Sequence, residues 1–388
     1  MKPSPRRPAL RTALAVLALA GAGAVPVLAG PATAAADTCV QGTLKYTSPD
    51  AESQSSLTAV VPRAKFEVRS GSTVLTTGET AADGTFSACT GKTSVSDLQV
   101  SFVTTAAGGR WRVIDDVVQN PTSSDLHRFS TATTSSATGT TDYGVVQPPA
   151  DQQGAFRVLA VLDKLYNKRD TSSTCFAKID TGTCETLTFV WDSDRTVGGW
   201  WDHESDDPSY VDNGEVRNSK YVVLDKWDQW SQHTIIHEAG HWLQWQLHGQ
   251  HFPAVNACDP HYMDQASSES CAWTEGFADA VAGKVLGDRR YVYADANVAP
   301  SPFEPTDCTP TPGGDCFWTG GRATQGNVAA AMLDFWAADG GWNSGFAAMA
   351  SQTSATVKAY YEHRYPSPSS TVSGIYSKHG LQYTNNVG

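Results

Sequence analysis

Residues 234–247 read TIIHEAGHWLQWQL, an apolar stretch with helical periodicity that carries two histidines and a glutamate. On an α-helix, positions i and i+4 lie about 40° apart around the axis, so His237 and His241 project from one face. From there they can grip a single cation at about 2.0–2.1 Å. Glu238, one position on, stands beside such a cation and can act on a water there without being a ligand. Two imidazoles do not complete a site. A structural zinc site is closed by four protein ligands, whereas a hydrolytic one has three and keeps a place open. The chain must therefore fold so that another element returns to this helix with the third ligand.

That element is predicted as a helix over 267–286, with Glu275 as the candidate in Trp273-Thr274-Glu275-Gly276-Phe277-Ala278-Asp279. A spacing of four puts Glu275 and Asp279 on one helical face, and the apolar neighbours argue against a solvated acidic surface. Asp279 can then accept the outer ring N–H of His237 and fix its tautomer. Glu269 is the alternative ligand, although Ser-Ser-Glu-Ser-Cys around it reads as a helix start with capping residues. His248 and His251 fall at or beyond the end of the first helix, before Pro253, and read as surface residues. A metzincin pattern would need Gly at 244 and His or Asp at 247, where this chain has Gln244 and Leu247.

His-Glu-Ala-Gly-His followed by Glu275 and Asp279 resembles the gluzincins, the thermolysin-like metallopeptidases. In that class a glutamate on a second helix completes the metal site, and an aspartate four residues later supports the first histidine. The resemblance implies one catalytic Zn2+ held by His237, His241 and Glu275, with Glu238 as general base and Asp279 behind His237. It also implies a protein or peptide as substrate. Such enzymes add a Tyr or His that stabilises the oxyanion; His261, Tyr262, Tyr291 and His363 are candidates with no spacing rule to separate them.

From Thr38 to about Phe129 short alternating runs are separated by turn signals, with Asp83-Gly84 a strong hairpin signal. This predicts an all-β sandwich of about seven strands over 37–130. Gln41-Gly42-Thr43-Leu44, Ala64 to Val68 and Thr80 to Phe86 resemble the transthyretin-like, carboxypeptidase regulatory-like sandwich. That implies either a folding and spacing domain or a substrate- or surface-binding module. The stretch 131–153 is Ser/Thr/Gly-rich, ends in Pro148-Pro149 and reads as a linker. The remainder, 154–388, is predicted as an α+β, zincin-type catalytic domain. Its elements are a helix over 156–167, strands over 186–191, 198–202 and 220–224, and helices over 232–247, 267–286 and 323–338. In such peptidases a strand placed like Gly198–Asp202 is the edge strand that pairs with extended substrate.

The first 36 residues have the layout of a secretory signal: Lys2, Arg6, Arg7 and Arg11, then an Ala/Leu/Val run to Leu28, then Ala34-Ala35-Ala36. The formal charge of −12 becomes −16 once these four basic residues are removed, which argues against nucleic acid as a partner. No stretch approaches the ~20 apolar residues of a membrane span, so the expected product is secreted and extracellular. Eight cysteines suit that oxidising compartment. Neighbour pairing would join Cys39 to Cys89, Cys175 to Cys184, Cys258 to Cys271 and Cys308 to Cys316. Asp202, Glu204, Asp206, Asp207, Asp212, Asn213 and Glu215 form either a solvated acidic loop or a Ca2+ site. Two other functional readings stay open: a surface- or matrix-binding protein with a vestigial metal site, and a zinc hydrolase of a non-peptide bond. Glu238 speaks against the first, because metal binding alone does not need a base.

Overall fold

The computed structural model describes residues 36–118, 121–168, 185–196, 198–202, 211–212, 215–216, 221–306 and 317–383. The proposed signal to residue 35, most of the acidic stretch, and Cys175, Cys184, Cys308 and Cys316 lie outside these residues.

The alternating runs form β1 (Cys39–Asp50), β2 (Ser55–Val60), β3 (Ala64–Ser70), β4 (Thr73–Glu79), β5 (Thr85–Cys89), β6 (Val95–Ala106) and β7 (Trp111–Ile114). The Asp83-Gly84 signal becomes the turn before β5 but not a hairpin, because β4 pairs with β3 and β5 with β1. Gly84 has a φ of +75°, a region that only glycine enters without strain, and Asp83 Oδ1 accepts from the Thr85 N–H at 3.0 Å. Three more strands follow: β8 (Arg128–Ser130), β9 (Thr134–Ala137) and β10 (Thr140–Val146).

Strands β9 and β10 overturn the expectation of a linker over 131–153. β9 pairs antiparallel with β6, and β10 pairs parallel with β1 from Cys39↔Thr140 to Leu44↔Val146. The segment has few core side chains, so it shows no apolar periodicity. Its threonines favour extended backbone, and the main-chain ladder supplies the hydrogen bonds.

After α1 (Gln153–Lys168) come β11 (Leu187–Val190), β12 (Trp200–Asp202), the short pair β13 (Val211–Asp212) and β14 (Glu215–Val216), and β15 (Tyr221–Val223). Helices α2 (Gln232–Leu247) and α3 (Glu269–Leu286) precede the small ladder of β16 (Arg290–Tyr291) with β17 (Ser301–Pro302). Helices α4 (Gln325–Ala338), α5 (Asn343–Ser351), α6 (Val357–Arg364) and α7 (Ser370–Lys378) complete the described chain. The architecture is α+β: a β-rich N-terminal region followed by a mostly helical C-terminal one. No helix among the described residues is long and apolar enough to cross a membrane.

Two sheets make up the β region. The smaller has the order β10-β1-β2, with β5 also on β1, which places Cys39 opposite Cys89 in a disulfide. The larger runs β12-β15-β11-β7-β6-β3-β4, with β8 and β9 also on β6. Phe86 of the small sheet meets Phe66 and Phe102 of the large one at ring-centroid distances of 5.6 and 5.0 Å. On the same face, Phe129, the cross-strand neighbour of Phe102, lies edge-on to Phe156 of α1 at 5.2 Å. Because β7 pairs with β11, the large sheet crosses from the N-terminal region into the segment after α1. One continuous ladder therefore runs across the boundary expected between a sandwich over 37–130 and a catalytic domain from 154.

Candidate active site

Helix α2 starts where Ser231 accepts the Thr234 N–H at 3.0 Å. A second acceptor, a carboxylate, comes from far away in sequence: Glu52 Oε1 accepts the N–H groups of Gln232 at 2.6 Å and His233 at 3.0 Å. Negative charge at this end complements the helix dipole and satisfies donors that have no intrahelical partner. Behind it, buried Arg157 of α1 binds Asp50 at 2.7 Å, and Gln232 Nε2 donates to the same carboxylate at 2.8 Å. Burial alone would raise the Asp50 carboxyl. The hydrogen bonds from Ser53, Arg157 and Gln232 reverse this and bring it down to about 2.

Two glycines let the next helices close on α2. A Cβ at Gly240 would stand 2.8 Å from the Ala278 Cα of α3, and one at Gly276 would stand 2.7 Å from the Gln325 carbonyl oxygen of α4. These approaches bring Glu275 and Asp279 over His237 and His241. His237 Nε2 and His241 Nε2 are 3.1 Å apart, and Glu275 Oε2 lies 3.2 Å from the first and 3.4 Å from the second. Asp279 Oδ1 is 2.8 Å from His237 Nδ1. The expected three ligand atoms thus face one point, with the aspartate behind the first histidine. Glu269 is not among them. It opens α3 and pairs with Arg322 at 2.8 Å, while Ser268 caps the helix by accepting the Cys271 N–H at 3.0 Å.

All five side chains of this group are buried. Burial acts to lower the His237 imidazole, but the Asp279 and Glu275 carboxylates override it and hold the ring well above its ordinary range. Burial likewise acts to raise Glu275, and the two histidines pull it well below. Glu238 is raised by burial, which His237 and His241 offset only in part. Its Oε2 is buried without a hydrogen-bond partner, as is His241 Nδ1.

The donor set fits a divalent cation of the zinc type. It offers two imidazole nitrogens and a carboxylate oxygen, a mixture zinc accepts readily. Among the described residues, every ion-pair partner of Glu275 and Asp279 is a histidine, so three carboxylates share the site with no lysine or arginine.

A cleft of about 660 Å³ opens onto this cluster, lined by Glu238, Phe252, Val255, His261, Tyr262 and Tyr291 among others. Gly199, at the start of β12, also lines it, and its N–H donates to Val223 O at 2.7 Å. A Cβ at neighbouring Gly198 would collide with the backbone of Leu224 and Asp225, so the chain enters the edge strand pressed onto β15. Among the described residues β12 is the outer strand of the large sheet on this side, where the gluzincin resemblance puts an edge strand.

Of the four oxyanion candidates, His261, Tyr262 and Tyr291 line the cleft. His363 is not among the cleft residues, and its Nε2 bonds Ser351 Oγ at 2.9 Å. Tyr291 is held by Thr234 Oγ1 at 3.1 Å, with its ring edge-on to His237 at 5.5 Å. His248 differs from its reading as a surface residue. It is buried at the end of α2, where burial, with the charge of His251, pushes its imidazole down to about 4. Sequence reasoning missed Gln325, whose amide bonds both His261 and Asp279, and Glu52 at the start of α2. Neither carries a motif, and both act across long sequence separations.

Comparison with known families assigns both halves of the chain. Residues 39–155 match the mycolysin middle domain, and residues 168–379, more than half of the chain, match the mycolysin C-terminal domain. No curated protein and no solved structure matches the chain. With a His-His-Glu cluster suited to zinc inside the matched C-terminal domain, the chain belongs to the mycolysin family and is a zinc metallopeptidase.

Proposed function

We propose that this chain is a secreted zinc-dependent endopeptidase in which His237, His241 and Glu275 hold the metal and Glu238 is the general base. The observation that carries this reading is the convergence of His237 Nε2, His241 Nε2 and Glu275 Oε2 on one point, within 3.1–3.4 Å of one another, at the wall of an open cleft. When bound there, zinc would supply Lewis acidity, polarising the scissile carbonyl and acidifying water toward a pKa of ~7. Glu238, with a carboxyl raised by burial and a free Oε2, takes the proton of the attacking water and passes it to the leaving amine. Asp279 keeps His237 in the Nδ1–H form, so that Nε2 is the ligating atom. β12 supports extended substrate through main-chain hydrogen bonds at its outer edge, which suits internal cleavage with loose side-chain demands. Secretion is supported by the disulfides Cys39–Cys89 and Cys258–Cys271 and by the basic and apolar N-terminal sequence. The two-layer packing of the N-terminal strands supports the transthyretin-like likeness.

The purified chain should cut denatured casein internally, stop under a chelator and recover with zinc. A zinc-saturated chain that leaves casein intact would remove the endopeptidase reading and favour a non-peptide substrate.

A further inference from the structure

Gln325 opens α4 and is buried, yet both ends of its side-chain amide are engaged. Nε2 lies 3.2 Å from Asp279 Oδ2, and Oε1 lies 2.8 Å from His261 Nδ1. The partners' chemistry fixes the protons. A carboxylate only accepts, so the amide end facing Asp279 is the NH2 and the end facing His261 is the carbonyl. A carbonyl also only accepts, so His261 carries its proton on Nδ1. In its neutral form the ring then presents a bare Nε2 in the cleft, 3.9 Å from Glu275 Oε2.

The surroundings hold this arrangement in place. The Gly326 N–H donates to Met263 O at 3.0 Å, the Ser267 N–H to Ala323 O at 2.9 Å, and a disulfide ties Cys258 to Cys271 of α3. The loop carrying His261 is thereby strapped to the starts of both α3 and α4.

We propose that Gln325 is a positioning residue of the peptidase. Its amide holds His261 in the Nδ1–H form, so that Nε2 accepts a hydrogen bond from a backbone N–H of the bound peptide beside the scissile bond. The same amide braces Asp279 behind His237. This inference rests on the peptidase reading for its substrate, but its proton placement is measurable without turnover.

The test uses the full zinc-loaded chain with 15N-labelled histidine, in which the His261 signals are assigned by their loss in His261→Ala. The wild-type protein should show His261 as the Nδ1–H tautomer, and Gln325→Met should lose that preference. At saturating zinc, Gln325→Met should raise KM for a peptide about tenfold with kcat within about twofold, the pattern of a lost binding hydrogen bond. Zinc affinity, read by competition with a chelating dye, should fall about tenfold as Asp279 loosens. In the double variant with His261→Ala, Gln325→Met should raise KM no further. An Nε2–H tautomer in the wild-type protein, or KM increases that multiply in the double variant, would overturn the proposal. A chain that binds no zinc and leaves casein intact would instead remove the peptidase reading, with the tautomer result still deciding the role of Gln325.

Discussion

Among the described residues, two groups of side chains offer the same kinds of metal-binding atoms within 4.8 Å of one another: His237, His241 and Glu275, and Glu304, Asp334 and His379. They differ in what surrounds them. The second group contains its own cations. Arg289 binds Glu304 at 2.7 Å and Asp334 at 2.8 Å, Lys378 reaches Asp334 at 3.0 Å, and His379 Nε2 lies 2.8 Å from Asp334. The site around the first group is buried, and its three carboxylates, Glu238, Glu275 and Asp279, have only imidazoles to face them. Burying negative charge without compensation is too costly to be retained for stability alone. The comparison teaches that ligand types in proximity do not identify a metal site; buried carboxylates faced by imidazoles alone do. The Glu304 group is an ion-pair network that pins α7 to α4.

The contrast can be broken by substitution. The largest effect is expected from Glu238→Gln, which should lower turnover by about 10²–10⁴-fold while zinc stoichiometry stays at one per chain. Undiminished hydrolysis by that variant removes Glu238 as the base. Next, Glu275→Ala should weaken zinc binding by roughly 100-fold or more, whereas Glu304→Ala should leave it unchanged. Equal losses in the two variants, measured by metal titration, would erase the distinction drawn above.

Acid titration sharpens the comparison on the side of compensated carboxylates. Asp50, paired with Arg157, has a folded pKa of about 2, below the unfolded value of about 4. A depressed carboxylate contributes stability above its unfolded pKa and loses it as pH falls through the folded one. Denaturant unfolding should therefore show about 2 kcal/mol from this group vanishing between pH 4 and 2, and Asp50→Asn should flatten that part of the curve. Asp334 is also held low: burial opposes ionisation, and His379 and Arg289 overcome it. Asp334→Asn should cost about 1–2 kcal/mol at neutral pH without affecting zinc. The smallest effect is that of salt. Lys378 and Arg289 are nearly half exposed, so 1 M salt should remove no more than about 1 kcal/mol from the network. A larger loss would mean that its charges are less screened than their exposure implies.

Much of the site was legible because its chemistry is local. His237, Glu238 and His241 lie within one helical turn, and Glu275 and Asp279 within another, so a spacing of four places each set on a face. Apolar neighbours then marked α3 as buried. The residues that escaped are those whose partners are distant: Gln325 meets His261 across 64 positions, and Glu52 meets Gln232 across 180. No periodicity encodes such pairs. The strands over 134–146 escaped for a different reason. They are held by main-chain ladders and carry polar side chains, whereas the sequence pattern registers only apolar alternation.

The carboxylate of Glu52 at the start of α2 bears on how this enzyme can be dissected. The family boundary between residues 155 and 168 falls at α1 and invites a truncation there, yet the hairpin that such a cut discards supplies the acceptor for the first amides of the histidine-bearing helix. It would also strip β7 from β11, leaving a raw sheet margin open to self-association. A portable version for fusion or display therefore has to keep everything from Cys39 onward, and the two named family domains are best handled as one folding unit.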